Sequence, residues 1–143
     1  MIKVTRISNA NKLFDENWAI VRKMKSSSDW LKQVSELSPS PDLFSKFQDL
    51  KSAGNWNETT FQGVYVPQFI FELKKNTAAR EKLNYLYTQD KAGKSICLVC
   101  FCTDESLCHR SIIAGILAGG GCCVQTDTGL DYSRYYEMYK NCG

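Results

Sequence analysis

Charge of one sign is scarce in this chain: 18 lysines and arginines against 15 acids leave a net charge of only +3 over 143 residues. A basic sheath for nucleic acid needs more, and the densest basic run, Arg22-Lys23-Met24-Lys25, is short. Nucleic acid is therefore not the expected partner. Long apolar runs are also missing. Ser111 to Val124 is the nearest approach, and it is too short and too rich in glycine to span a bilayer. Met1-Ile2-Lys3-Val4-Thr5 lacks the layout of a secretory signal, so no membrane partner is expected either. There is no Cys-x-x-Cys redox pair. Seven cysteines, an odd number with three of them inside residues 100–108, do not make a secreted disulfide framework, and a reducing cytoplasm is the expected compartment. Gly93-Lys94-Ser95 imitates the tail of a phosphate-binding loop. However, Thr88 stands where the upstream glycine is required, and the run precedes a strand instead of following one. Internal repeats and low-complexity segments are absent as well.

The composition that remains is ordinary for a globular protein, 43% hydrophobic and 23% charged, and the length suits one domain over residues 1–143. Ile2 to Ile7 alternates with period two and predicts a first strand. Trp18-Ala19-Ile20-Val21-Arg22 predicts a second, ending in a charge. Ser26 to Asp29 is a polar break, and Ser28 or Asp29 would cap a helix through Trp30, Leu31, Val34 and Leu37. Ser40-Pro41-Asp42 starts a further helix with Leu43, Phe44, Phe47 and Leu50 as its buried stripe and Gly54 as its stop. Asn57 opens a helical pattern through Phe61, Tyr65, Phe69 and Leu73, which Pro67 should kink or divide. Thr77 to Asp90 predicts a helix, and Ser95 to Phe101 a strand buried on both faces. A helix over Ser111–Leu117, a strand at Cys122–Val124 and a tyrosine-rich helix from Asp131 to Tyr139 complete the pattern. Strands separated by helices predict an α/β fold, a small, mainly parallel, Rossmann-like sheet flanked by helices. The tyrosine stripe would serve as a packing face or as a contact in a homo-oligomer.

Most of the reactive chemistry falls between Cys100 and Ile116. Ser106 as a helix N-cap would place Cys108, His109 and Arg110 in the first turn, where unpaired N–H groups and the positive end of the helix dipole favour anions and thiolates. Cys108 is expected there with a depressed pKa, as nucleophile, and His109, the only histidine, as acid or base. Arg110 and Arg22 could clamp a phosphate or carboxylate, with Cys100 beside them. The bland alternatives are a small buried thiol, a hydrogen-bonded imidazole, and arginines paired with Asp104 or Glu105. In an open parallel sheet these elements would meet beyond the carboxyl ends of the strands. Cys100-x-Cys102 followed by Cys108-His109 also suggests zinc, but structural zinc pairs are usually two to four residues apart and adjacent helix residues point about 100° apart. No metal ligand is assigned on that spacing, and no cofactor is implied. A reversible Cys100–Cys108 disulfide is a further alternative.

Leu98-Val99-Cys100 with Cys108-His109-Arg110-Ser111-Ile112-Ile113 resembles the signature of the family called domain of unknown function 488 (DUF488). Trp18-Ala19-Ile20-Val21-Arg22 is similar to that family's Val-Asp-Val-Arg strand, without the aspartate. Trp30-Leu31 through Leu43, with Phe61 and Tyr65, is similar to a short branch of it. The resemblance runs from Ile2 to Ala118 and implies a small α/β fold and a site at the Cys-His-Arg segment; it names no reaction. Many members carry an acid where this chain has Cys102, so a general base at that place is missing here. The expected function is binding of a small anionic ligand, a nucleotide or phosphorylated metabolite, with or without catalysis. Two alternatives stand beside it: a non-catalytic sensing or sequestering protein of regulatory or phage-like type, and a Cys/His metal-stabilised interaction module.

Overall fold

The computed structural model describes residues 1–24 and 28–142. Five parallel strands form one sheet: β1 (Ile2–Arg6), β2 (Glu16–Ala19), β3 (Lys32–Gln33), β4 (Ile96–Cys100) and β5 (Val124–Thr126), in the order β3-β2-β4-β1-β5. Ile2 of β1 aligns with Ile96 on one side and Val124 on the other, and Glu16 of β2 aligns with Ile96 from the far side of β4. Every residue of β4 is buried, as its unbroken apolar run requires of a central parallel strand. The expected α/β fold with a mainly parallel sheet is the fold observed, and every strand pairing in the sheet is parallel.

The helices are α1 (Pro41–Ser52), α2 (Glu58–Thr60), α3 (Val66–Lys75), α4 (Thr77–Lys91), α5 (His109–Gly119) and α6 (Arg134–Asn141). Ser40 caps α1 by accepting from the Leu43 N–H, with Pro41 in the first turn, and Gly54 closes the stretch at φ 74°. Of the expected α1 stripe only Leu43 is fully buried, and Phe44 is largely exposed. Asn57 and Thr60 form a reciprocal capping box at α2. The kink expected at Pro67 takes a particular form. A π-turn over Phe61–Tyr65 joins α2 to α3 without a break in the rod, and Pro67, which cannot donate, sits directly after this widened turn.

Three expectations are corrected. No helix runs from Ser28 to Leu37. Ser28 bridges to Leu31, β3 follows, and a 3-10 turn covers Ser35–Leu37. Leu31, Val34 and Leu37 are buried as their spacing suggested. The Val34 N–H, however, donates to the Ala19 carbonyl at the end of β2, so the edge of the sheet claims the backbone. Ser26 and Ser27 of the polar break lie outside the described residues. Ser106 is not a helix cap: its N–H and hydroxyl both donate to the Asp104 carboxylate, which caps a 3-10 turn over Glu105–Leu107, and Cys108 is the N-cap residue of α5. The last strand and last helix begin two and three residues later than the sequence suggests, at Val124 and Arg134.

Nearly all of α5 is buried between the sheet and α6. Gly115 and Gly119 make that contact possible, because a Cβ on Gly115 would stand 2.0 Å from the Tyr132 carbonyl oxygen and one on Gly119 2.2 Å from Tyr136 Cβ. Among the described residues no helix is long and apolar enough to cross a membrane.

Candidate functional site

The carboxyl ends of β2 and β4 and the amino end of α5 meet at one edge of the sheet. Cys100 is the last residue of β4. Phe101 turns outward, so Cys102 returns to the side Cys100 faces, and the capped 3-10 turn folds the chain back to Cys108. The result brings together Cys100, Cys108, His109 and Arg110, four of the five residues expected at the site. Cys100 Sγ lies 3.3 Å from Cys108 Sγ, and the sulfurs of Cys100, Cys102 and Cys108 all fall within 4.8 Å of one another. Arg110, 1% exposed, donates from Nη1 to Cys100 Sγ at 3.3 Å and to the Cys102 carbonyl. Its Nε is buried with no hydrogen-bond partner among the described residues.

His109 is buried as well. Its Nε2 lies 2.7 Å from the Ile20 carbonyl oxygen, which can only accept, so the Nε2 proton is fixed there. The other ring nitrogen, Nδ1, faces Cys108 Sγ at 3.6 Å. Phe69 meets the imidazole edge-on at 5.7 Å, the end of a column in which Phe61, Tyr65 and Phe69 stack in turn. Tyr65 was legible in the sequence only as a core position. In the fold its hydroxyl is raised well above the usual phenol range, by burial and then by the charges of Cys108, Cys102, Glu72 and Cys100, so it belongs to this neighbourhood.

Electrostatics set the three thiols apart. Hydrogen bonds from the Cys102 and Cys108 thiols outweigh burial and, with His109 and Arg110, hold Cys100 far below the ordinary thiol range. Cys102 is pushed up to about 11 by its hydrogen bond to Cys100, and Cys108 is driven well above its ordinary value by burial and by the same two sulfurs. The depressed pKa expected at Cys108 is thus found at Cys100. Cys108 supplies the N-cap position, but its side chain caps nothing, and its sulfur faces other sulfurs.

The nearby acids have other tasks. Asp104 caps its turn. Glu105, buried, accepts from the Asp127 N–H at 2.9 Å, from the Tyr132 hydroxyl at 2.7 Å and from the Thr128 hydroxyl, tying the site loop to the end of β5. No ion pair joins Arg22 or Arg110 to Asp104 or Glu105 among the described residues.

Arg22, the fifth expected residue, stands apart from the sulfurs. Its Nε donates to the Pro39 carbonyl at 2.9 Å, and the side chain lines a cleft of about 310 Å³ with Ser38, Ser40, Gln68, Glu72 and Lys75. The two parts share a frame, since His109 holds Ile20, two residues before Arg22, and α3 lends Phe69 to the imidazole and Glu72 to the cleft. Both carboxylate oxygens of Glu72 are engaged by Ser40, through its N–H and its hydroxyl. Glu36, also at the cleft, pairs with Lys82 at 3.9 Å. Arg22 and Lys75 therefore face the cleft without an acid partner among the described residues.

No curated protein and no solved structure matches the chain. A family profile described as the active DUF488-N3 subclade matches residues 2–121, which takes in the first four strands of the sheet and both parts of the site, and stops short of β5. The chain belongs to the DUF488 family.

Proposed function

We propose that the carboxyl edge of the sheet binds a small anionic ligand, a nucleotide or another phosphorylated metabolite, with its anionic group in the cleft before Arg22. One observation carries this: two cations, Arg22 and Lys75, line a concave space while the acids around them are already engaged. Such a pair attracts phosphate or carboxylate, and the planar guanidinium can bind either bidentately. A volume of about 310 Å³ lies at the small end of ligand sites, which suits a mononucleotide or sugar phosphate better than a dinucleotide. Gln68 adds an amide for orientation.

Retention without turnover, as in a sensing or sequestering protein, has its own support in the burial of Cys108 and His109, whose polar atoms already have partners in the chain. The description of the subclade as active favours chemistry. Product analysis after incubation with the bound ligand separates the two.

Calorimetric titration with adenosine monophosphate and with inorganic phosphate tests the cleft. The expected result is saturable binding with a dissociation constant of about 1 mM or tighter, weakened about tenfold or more in Arg22→Ala, with the melting temperature nearly unchanged. Absence of heat with both probes, or an unaltered affinity in Arg22→Ala, would overturn the proposal.

A further inference from the structure

Arg22 and its cleft leave unassigned a cluster of metal-binding atoms found among the described residues. Those atoms are the sulfurs of Cys100, Cys102 and Cys108, all within 4.8 Å of one another. We propose that these three cysteines form a thiolate site for a thiophilic divalent cation of the zinc type, with one coordination position left open.

Distance is the first reason. Zinc–sulfur bonds of about 2.3 Å in tetrahedral geometry place sulfur ligands about 3.8 Å apart. Cys100 and Cys108 stand at 3.3 Å, and the whole triangle fits inside 4.8 Å, so small side-chain rotations bring all three sulfurs to one centre. The short sequence spacing that argued against a metal loses its force in the fold. Cys100 is held by β4 and Cys108 by the start of α5, and the loop between them is fastened by Asp104 and Glu105. Two of the three ligands come from separate rigid elements, and Cys102 from the fastened loop that joins them.

Charge is the second reason. A divalent cation with three thiolates carries a net charge of −1. Arg110, buried, already donates to Cys100 Sγ at 3.3 Å and would neutralise the complex, with the positive end of α5 beside it. N–H···S donors of this kind, and ring nitrogens fixed by outer partners, are what thiolate centres require around them. His109 provides the second device. Its Nε2 is pinned to the Ile20 carbonyl, which fixes the ring so that Nδ1 faces Cys108 Sγ at 3.6 Å. Each thiol that coordinates gives its proton to solvent, and the half-buried Cys102 provides the entry side.

Three thiolates with one exchangeable position distinguish this site from a closed, purely structural four-ligand centre. The test is anaerobic titration of the reduced full-length chain with cobalt(II), followed by zinc. The expected outcome is the sulfur-to-cobalt charge-transfer absorption, saturating at one equivalent and bleached by one equivalent of zinc. Cys100→Ser and Cys102→Ser should abolish it, while Cys123→Ser, at an exposed thiol remote from the trio, should leave it intact. Cys102 is only half-buried, so its serine variant keeps the fold, which circular dichroism verifies. The proposal fails if no charge-transfer band develops, if the band survives Cys102→Ser, or if peptide mapping finds a Cys100–Cys108 disulfide that forms in preference to the metal complex. Arg22→Ala should leave the cobalt spectrum unchanged, so failure of the cleft and failure of the thiolate site are separable.

Discussion

At the scale of single residues, most of what matters here turns on which polar groups are already partnered. Arg22 and Arg110 look equivalent in the sequence, each basic and each near the end of a strand or the start of a helix. The fold separates them. Arg110 is buried against Cys100 Sγ and the Cys102 carbonyl, whereas Arg22 uses one nitrogen on Pro39 and keeps the rest for the cleft. Nothing in the order of residues could reveal this, because the partners are set by tertiary contacts, and two of the three are backbone carbonyls. The same holds for the thiols. A helix N-terminus beside His109 favours Cys108 on local grounds, yet two neighbouring S–H donors favour Cys100, and their proximity depends on how a loop folds back. Glu105 is the clearest case of an acid misread by position, since its oxygens gather donors from Asp127, Thr128 and Tyr132. Glu105→Gln would set an amide N–H₂ against one of those donors. Leaving one or two buried groups unsatisfied destabilises by about 1–3 kcal/mol each. Urea denaturation should show a loss of that size, and no loss would mean the loop repacks around a water.

Elements were legible where one face or one cap decided them. β4 is an uninterrupted apolar run, α1 opens with Ser40-Pro41-Asp42, and both form where expected. The stretch from Trp30 to Leu37 failed because its apolar spacing of three serves equally well for a short edge strand followed by a 3-10 turn. The hydrogen bond from Val34 to Ala19 lies beyond any local pattern. The junction of α5 and α6 shows the reverse, a packing constraint written into two glycines and visible only once α6 is in place. Gly115→Ala would drive a methyl group to 2.0 Å from the Tyr132 carbonyl oxygen and 2.9 Å from the Tyr135 ring, contacts that only backbone movement relieves. Overpacking of this kind typically destabilises by about 1–3 kcal/mol. Gly63→Ala, where nothing lies within 4 Å of the added carbon, is the control and should be neutral or slightly stabilising. Chemical denaturation of the two variants checks the contrast, and equal stabilities would show that α6 is free to shift away.

Across the whole molecule the two ends of the sheet are built differently. The carboxyl edge carries the buried sulfurs and the cleft. At the amino edge the loop entering β2 is fastened to the residue before β4, with the Asp15 carboxylate accepting from the Ser95 N–H at 2.7 Å and from its hydroxyl at 3.1 Å. Those bonds hold the Asp15 carboxyl below its ordinary value of 3.8. A group whose pKa falls on folding stabilises the fold fully above its unfolded value, and that contribution is lost as the pH drops through the lower folded value. Wild type should therefore melt above Asp15→Asn near neutral pH, with the gap closing below pH 3.8. A gap that persists undiminished in acid would assign the difference to packing instead. The family relation spans both edges, residues 2–121, so it covers the frame as well as the site. The wide turn at Phe61–Tyr65, where the Val66 N–H reaches back to the Phe61 carbonyl, sets the phase between them. It takes up one residue more than an α-turn would, an offset of about 100° along an otherwise continuous helical rod. Upstream of the offset the rod is anchored by its capping box; downstream it aims Phe69 at His109 and Glu72 at the cleft. Chain length, as well as side-chain identity, is what this stretch encodes. Phe61 and Tyr65 are held by the stack that leads to Phe69, and adding or removing a single residue here would turn both Phe69 and Glu72 away from their targets at once.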